Sequence, residues 1–135
     1  MTAAVPLMLI PLALYNLAMV GGMGGGGVAA LQRDVAAFPM VSGALWTLLV
    51  GDILILIALV LLFIAIFKAA RGGSRSTLGH VLSLLVFVVF LAEFLLVQDA
   101  ATQTFFILMA IALVDAVGVT VVAVQAAERN MSIGL

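Results

Sequence analysis

Four long apolar stretches separated by short polar breaks dominate the chain. The first lies within Met1 to Gln32, which carries no charged side chain; it is densest from Val5 to Val20 and closes in a glycine run, giving approximate bounds of 5–27. The second runs from about Val41 to Phe67, the third from Leu78 to Val97 and the fourth from Thr104 to Val124. Each is near the ~20 apolar residues that a helix needs to cross hydrocarbon. The pattern predicts an all-α polytopic membrane protein: four transmembrane helices forming one integral membrane domain over 1–135. The segment 28–40 is too short and too polar to cross. Its apolar Val28, Leu31, Val35 and Phe38 recur at helical spacing beside Gln32, Arg33 and Asp34. That spacing predicts a short interfacial helix after the first span, closed by Pro39.

Composition agrees with the pattern. Hydrophobic residues make up 67% of the chain and charged residues 8%, and the mean hydropathy is +1.45. Soluble domains are about one quarter charged, so this chain lies far outside that class. Five Lys and Arg against six Asp and Glu give a net charge of -1, which argues against nucleic acid as a partner. The lipid bilayer is the partner that composition does imply. With no cysteine, disulfides and thiolate chemistry are absent.

The first span has unusual grammar. Pro6 and Pro11 sit in its opening turns, and Gly21-Gly22-Met23-Gly24-Gly25-Gly26-Gly27 ends it. Met1 to Val5 carries no Lys or Arg, so the basic start of a signal peptide is missing and the segment reads as a retained span. Gly21/Gly25 and Gly22/Gly26 fit the small-xxx-small spacing that lets helix backbones touch, which makes them candidate helix-packing residues. Unwinding of the helix across the run is the other reading; it is tolerated at membrane depth only under cover of other protein. In the second span a seam of alternating four- and three-residue steps runs Thr47, Gly51, Leu54, Ala58, Leu61, Ala65, with Gly51 again a packing candidate.

Basic residues set an orientation. Lys68, Arg71 and Arg75 lie between the second and third spans and Arg129 follows the fourth, against Arg33 alone on the other side. Such an excess predicts cytoplasmic N- and C-termini and suits a bacterial inner membrane. A dual-topology exporter would need a near-balanced count.

Three acids fall inside predicted spans: Asp52, Glu93 and Asp115. An Asp near a helix centre costs about 2.5 to 3.5 kcal/mol on insertion, so such residues need a reason. Counted from the outer ends of their spans, Asp52 and Asp115 fall at one level roughly 16 Å deep, with Glu93 about 6 Å down. Stripes through Ser83, Val86, Phe90 and Glu93 and through Leu108, Ala112, Asp115 and Val119 turn these acids towards other helices. No Lys or Arg of the chain reaches that depth. Three roles follow: neutral carboxyls that hydrogen-bond to Asn16, Thr47, Thr120 or each other and pack the helices; a proton or cation site; or contacts to a donor on another subunit.

His80 stands at the cytoplasmic mouth of the third span. It fits an interface anchor better than a haem or pigment ligand, and with no second histidine a bis-histidine haem within the chain is excluded. Trp46 reads as an interface aromatic. Enzyme chemistry finds no support: the serines lack a hydrolase glycine elbow, and no His/Glu cluster has metal-ligand spacing. Asp52 and Asp115 lie in LVGDIL and ALVDAV, without the YD and GxGD signatures of intramembrane aspartyl proteases. The sequence therefore predicts a small non-catalytic membrane protein. Its first reading is an accessory or structural subunit of a larger, energy-transducing type of membrane complex, associated with other subunits or with itself. The alternative is a homo-oligomeric proton- or cation-linked transporter using Asp52 and Asp115.

Overall fold

The computed structural model describes residues 6–22, 26–70 and 77–133. In chain order these form helix α1 (Leu9–Met19), a 3-10 helix (Gly27–Gln32), strands β1 (Asp34–Pro39) and β2 (Leu45–Leu49), helix α2 (Val50–Ala70), helix α3 (Thr77–Leu96), a 3-10 turn (Gln98–Ala100) and helix α4 (Gln103–Ile133). Among the described residues three helices are long and apolar enough to cross a membrane: Val50–Ala70, Gly79–Leu96 and Gln103–Val122.

Helix α4 is the centre of the bundle and packs along both α2 and α3. It runs parallel to α2: Gly51 approaches Thr104 at one end, while Ala65 and Ala69 pack with Val119 towards the other. Small residues make this contact close. Gly51, Leu54, Ala58, Ala65 and Ala69 are the buried positions of α2, a stripe with helical periodicity. Against α3 the arrangement is antiparallel, with Phe94 near Phe105 and Phe106 at one end and His80 beside Thr120 at the other. The remaining faces are apolar and uncovered, as in Leu56, Leu59, Val60 and Phe63 of α2. That is the surface expected to face lipid tails.

Helix α1 has 11 residues and a length of about 16 Å, short of a full crossing by itself. Pro11 falls in its opening turn, where a missing N–H costs no helical bond. Its far end is closed by glycine. Gly21 adopts φ 85°, its N–H bonds to the Ala18 carbonyl at 3.1 Å and the Gly22 N–H to the Leu17 carbonyl at 2.8 Å. These two bonds form a Schellman cap, which a left-handed glycine closes without steric cost. Gly21 and Gly22 therefore terminate a helix and do not form a small-residue ridge along one. Gly26 has φ 83° and caps the 3-10 helix, so it too lies off any helix–helix seam; Gly25 lies outside the described residues.

The expected interfacial helix over 28–40 is replaced by the 3-10 helix and β1, which pairs antiparallel with β2 from Pro39↔Leu45 to Asp34↔Leu49, with an irregularity between Asp34 and Ala36. The turn is held by Met40 N–H to the Ala44 carbonyl at 2.7 Å and Gly43 N–H to the Met40 carbonyl at 2.9 Å, and Gly43 supplies φ 93°. A helix over 28–40 would leave the β-favouring Leu45-Trp46-Thr47 without a partner strand; the hairpin pairs both backbones at once. As a result the second spanning helix begins at Val50, where the apolar stretch had placed its start near Val41. The third span matches α3 to within one residue at each end and the fourth lies within α4, and α4 continues to Ile133 through a stretch rich in strong helix formers such as Gln125, Ala126, Ala127 and Glu128.

Candidate functional site

Asp52 and Asp115 do not share a level of the bundle. Asp52 is the third residue of α2, and its Oδ2 accepts the Leu49 backbone N–H at 3.0 Å. This is the reciprocal half of a capping box: an acid at the third position reaches back to an unsatisfied donor at the helix start. The positive end of the helix dipole favours the carboxylate there. Since Gly51 lies level with Thr104, Asp52 stands near the start of α4. Asp115 lies further along α4 by about 15 Å. The common depth expected of the two aspartates is therefore not found, because 41–49 is a turn and a strand, not the opening of a helix.

Asp115 is 1% exposed. It stands on the buried face of α4 between Ala112 and Val119, about 18 Å from the helix start and so near the middle of that span. On α3, Ser83 is also deeply buried.

Glu93 lies one turn from the end of α3. Its Oε2 accepts a hydrogen bond from Asn16 Nδ2 at 3.2 Å, and the same amide donates to the Leu12 carbonyl at 2.8 Å. Oε1 is buried with no hydrogen-bond partner among the described residues. This link joins α1 to α3.

Two residues that the sequence pattern does not single out extend the polar layer at this end of the bundle. Tyr15 is fully buried; its hydroxyl donates to the Asp99 carbonyl at 3.0 Å and pairs with Thr102 Oγ1 at 2.6 Å. Thr102 Oγ1 also accepts the Phe105 N–H at 3.2 Å, capping α4. With the tyrosine proton directed at Asp99, the Thr102 hydroxyl donates to Tyr15. The tyrosine ring meets Phe105 edge-on, with centroids 4.8 Å apart. A threonine immediately before an apolar helical run was the available sequence signal for the cap. For Tyr15 the signal was its being the one tyrosine of the chain, inside an apolar stretch where its hydroxyl needs a partner.

His80, in the first turn of α3, approaches Thr120 Oγ1 through Nδ1 at 3.1 Å. Thr120 gives its own proton to the Ala116 carbonyl at 2.9 Å, which makes Nδ1–H the donor of the pair. A third link, α3 to α4, results. Gly51 is buried where a Cβ would stand 3.1 Å from Thr104 Oγ1 and 3.2 Å from the Leu31 carbonyl. Among the described residues no group of three or more His, Cys, Asp or Glu could hold a metal ion.

No family model, curated protein or solved structure matches the chain.

Proposed function

We propose that this chain is a small, non-catalytic structural subunit of a larger membrane complex of the energy-transducing type. The observation that carries this reading is the division of labour among its polar side chains. Asn16–Glu93, Tyr15–Thr102 and His80–Thr120 each join two parts of the bundle. The first two share one end of the bundle, where Tyr15 and Asn16 are neighbours, and the third stands about 27 Å further along α4, so the links tie the helices at both ends. Groups placed in that way hold helices in register, for about 1 kcal/mol or less per link in a membrane. A site for chemistry would gather them.

In this reading α1 with its flanking residues makes the first of four crossings. Leu7 packs against the Ala65, Ala69 and Val119 cluster, whereas Tyr15 bonds the turn before α4, so the segment covers much of the bundle's height. Four crossings, with the excess of basic residues at Lys68, Arg71, Arg75 and Arg129, favour cytoplasmic termini in a bacterial inner membrane. The transporter alternative, built on Asp52 and Asp115, draws less support: a single cation cannot touch carboxylates some 15 Å apart.

Blue-native electrophoresis with mass spectrometry, after mild detergent extraction from the native membrane, tests the proposal. Migration at fixed stoichiometry within a larger assembly is the expected result. Migration alone or as a small homo-oligomer overturns it and makes flux measurements on Asp115→Asn proteoliposomes the next step.

A further inference from the structure

The hairpin formed by β1 and β2 is apolar in a way that water does not explain. From Val35 to Gly51 there is no Asp, Glu, Lys or Arg. Within that stretch Val35, Phe38, Met40, Val41, Leu45 and Trp46 are all exposed. Phe38 and Trp46 face each other across the strands and stack at 5.5 Å with 26° between ring planes, yet 43% and 48% of their surfaces remain uncovered. Ala36 and Leu48 pair on the same side of the ladder, so this face is apolar along its length. An uncovered apolar surface of this kind marks a contact with something other than water.

Continuity of the chain says what that something is. Strand β2 ends at Leu49 and α2, a spanning helix, begins at Val50. The Val50 N–H bonds the Arg33 carbonyl at 3.0 Å, which ties the base of the hairpin to the mouth of that helix. The hairpin is thus held at the end of that spanning helix, where the helix would leave the membrane.

Backbone chemistry then fixes the depth. A two-stranded sheet keeps an unpaired edge on each strand, and open edges are not tolerated in the hydrocarbon core, where no donor or acceptor can meet them. They are satisfied among headgroups and interfacial water. Tryptophan is likewise enriched at that level. We propose that the β1–β2 hairpin lies in the lipid interface, with its Phe38–Trp46 face seated at the boundary between headgroups and acyl chains and its strand edges hydrated. The occupant of this surface is the lipid bilayer, not a protein partner.

Trp46 is the one tryptophan of the chain, so the native protein carries its own probe. Full-length protein is reconstituted into phosphatidylcholine–phosphatidylglycerol liposomes, and co-flotation with the vesicles establishes insertion before any reading is taken. Trp46 fluorescence is then quenched in parallel by lipids brominated near the glycerol end of the acyl chain, by lipids brominated near the methyl end, and by aqueous iodide. The expected result is blue-shifted emission, strongest quenching from the shallow bromines and weak quenching by iodide. The double variant F38W/W46F, which keeps one tryptophan in the stacked pair, should report the same depth. Red-shifted emission with full iodide quenching would place the hairpin in water. Strongest quenching by the deep bromines would place it in the core, and insensitivity to all three quenchers would mean that protein covers it. Each of these three outcomes overturns the proposal.

Discussion

Gly51 of α2 lies against Thr104 of α4 and the Leu31 carbonyl, so close that a Cβ there would be in tighter than ordinary van der Waals contact with both. Here the spanning helix, the central helix and the 3-10 helix meet, two of them through backbone or a short side chain. Gly51→Ala would put a methyl 3.1 Å from the Thr104 hydroxyl and 3.2 Å from the Leu31 backbone carbonyl. Gly51→Val adds two further carbons to that contact. Overpacking of a tight contact costs about 1–3 kcal/mol. The expected order of thermal stability in mild detergent is wild type above Gly51→Ala above Gly51→Val. A Thr104→Ala change should recover part of the loss in Gly51→Ala, and the absence of any recovery would show that the Leu31 carbonyl sets the limit.

Asp52 belongs to the start of a helix, and its substitution should be felt there. Asp52→Ala removes the acceptor of the Leu49 N–H and a negative charge beside the positive end of α2. The loss expected from such a cap is about 0.5–2 kcal/mol. Asp52→Asn keeps an acceptor oxygen and should lose less. Hydrogen exchange at the Leu49 amide gives the local readout: faster exchange in Asp52→Ala, near-native exchange in Asp52→Asn. A role as a transport carboxylate would instead leave that amide unchanged in both.

The parts of this fold that were legible in the sequence are those set by local composition. α3 was delimited to within a residue, because its apolar run ends abruptly at both sides. On α2 the buried face at Gly51, Leu54, Ala58 and Ala65 follows the seam that its spacing gives. What could not be read depends on distant pairing. Val28, Leu31, Val35 and Phe38 fit a helical period, and only the pairing of Asp34–Pro39 with Leu45–Leu49 decides for a strand; the Ser42-Gly43 turn signal was the local clue. An apolar run shows where hydrocarbon could begin but not where the helix does, so a count from Val41 puts Asp52 deeper than its place in the first turn of α2. Asn16 and Thr120 were both visible as polar groups able to meet an acid. Which of them met Glu93, and that the other met His80, depends on how α1 and α4 rotate about their axes, which one sequence does not specify.

The Asn16–Glu93 link invites a double-mutant cycle. In Asn16→Leu the Glu93 carboxyl loses its one hydrogen bond from a described residue, and Oε1 already has no such partner. Glu93→Gln retains an oxygen that can accept from the Asn16 amide and should be the milder change. Glu93→Leu together with Asn16→Leu removes both polar groups and should be less harmful than the sum of the two single changes. The coupling expected for a hydrogen bond between membrane helices is about 0.6 kcal/mol, with an upper range near 1.7. Unfolding of reconstituted protein measures it. Additive losses would mean that the link contributes nothing to holding α1 on α3.

Tyr15 contributes through both its ring and its hydroxyl, and the two can be separated. Tyr15→Phe keeps the edge-on contact with Phe105 but removes the donor to the Asp99 carbonyl and the acceptor for Thr102. Thr102 still caps α4 through the Phe105 N–H, so the expected loss is that of two hydrogen bonds, about 1–3 kcal/mol. Phe105→Ala opens a cavity among Tyr15, Phe90 and Phe94, which all pack on that ring. Truncation of a fully buried phenylalanine costs about 3–5 kcal/mol. The hydroxyl change should loosen the 97–102 turn, read as faster hydrogen exchange at Ala100 and Ala101, while α4 stays protected. The cavity change should lower protection along α3 and α4 together. If Tyr15→Phe proved as damaging as Phe105→Ala, the Asp99 and Thr102 bonds, and not the aromatic cluster, would be what holds this end of the bundle closed.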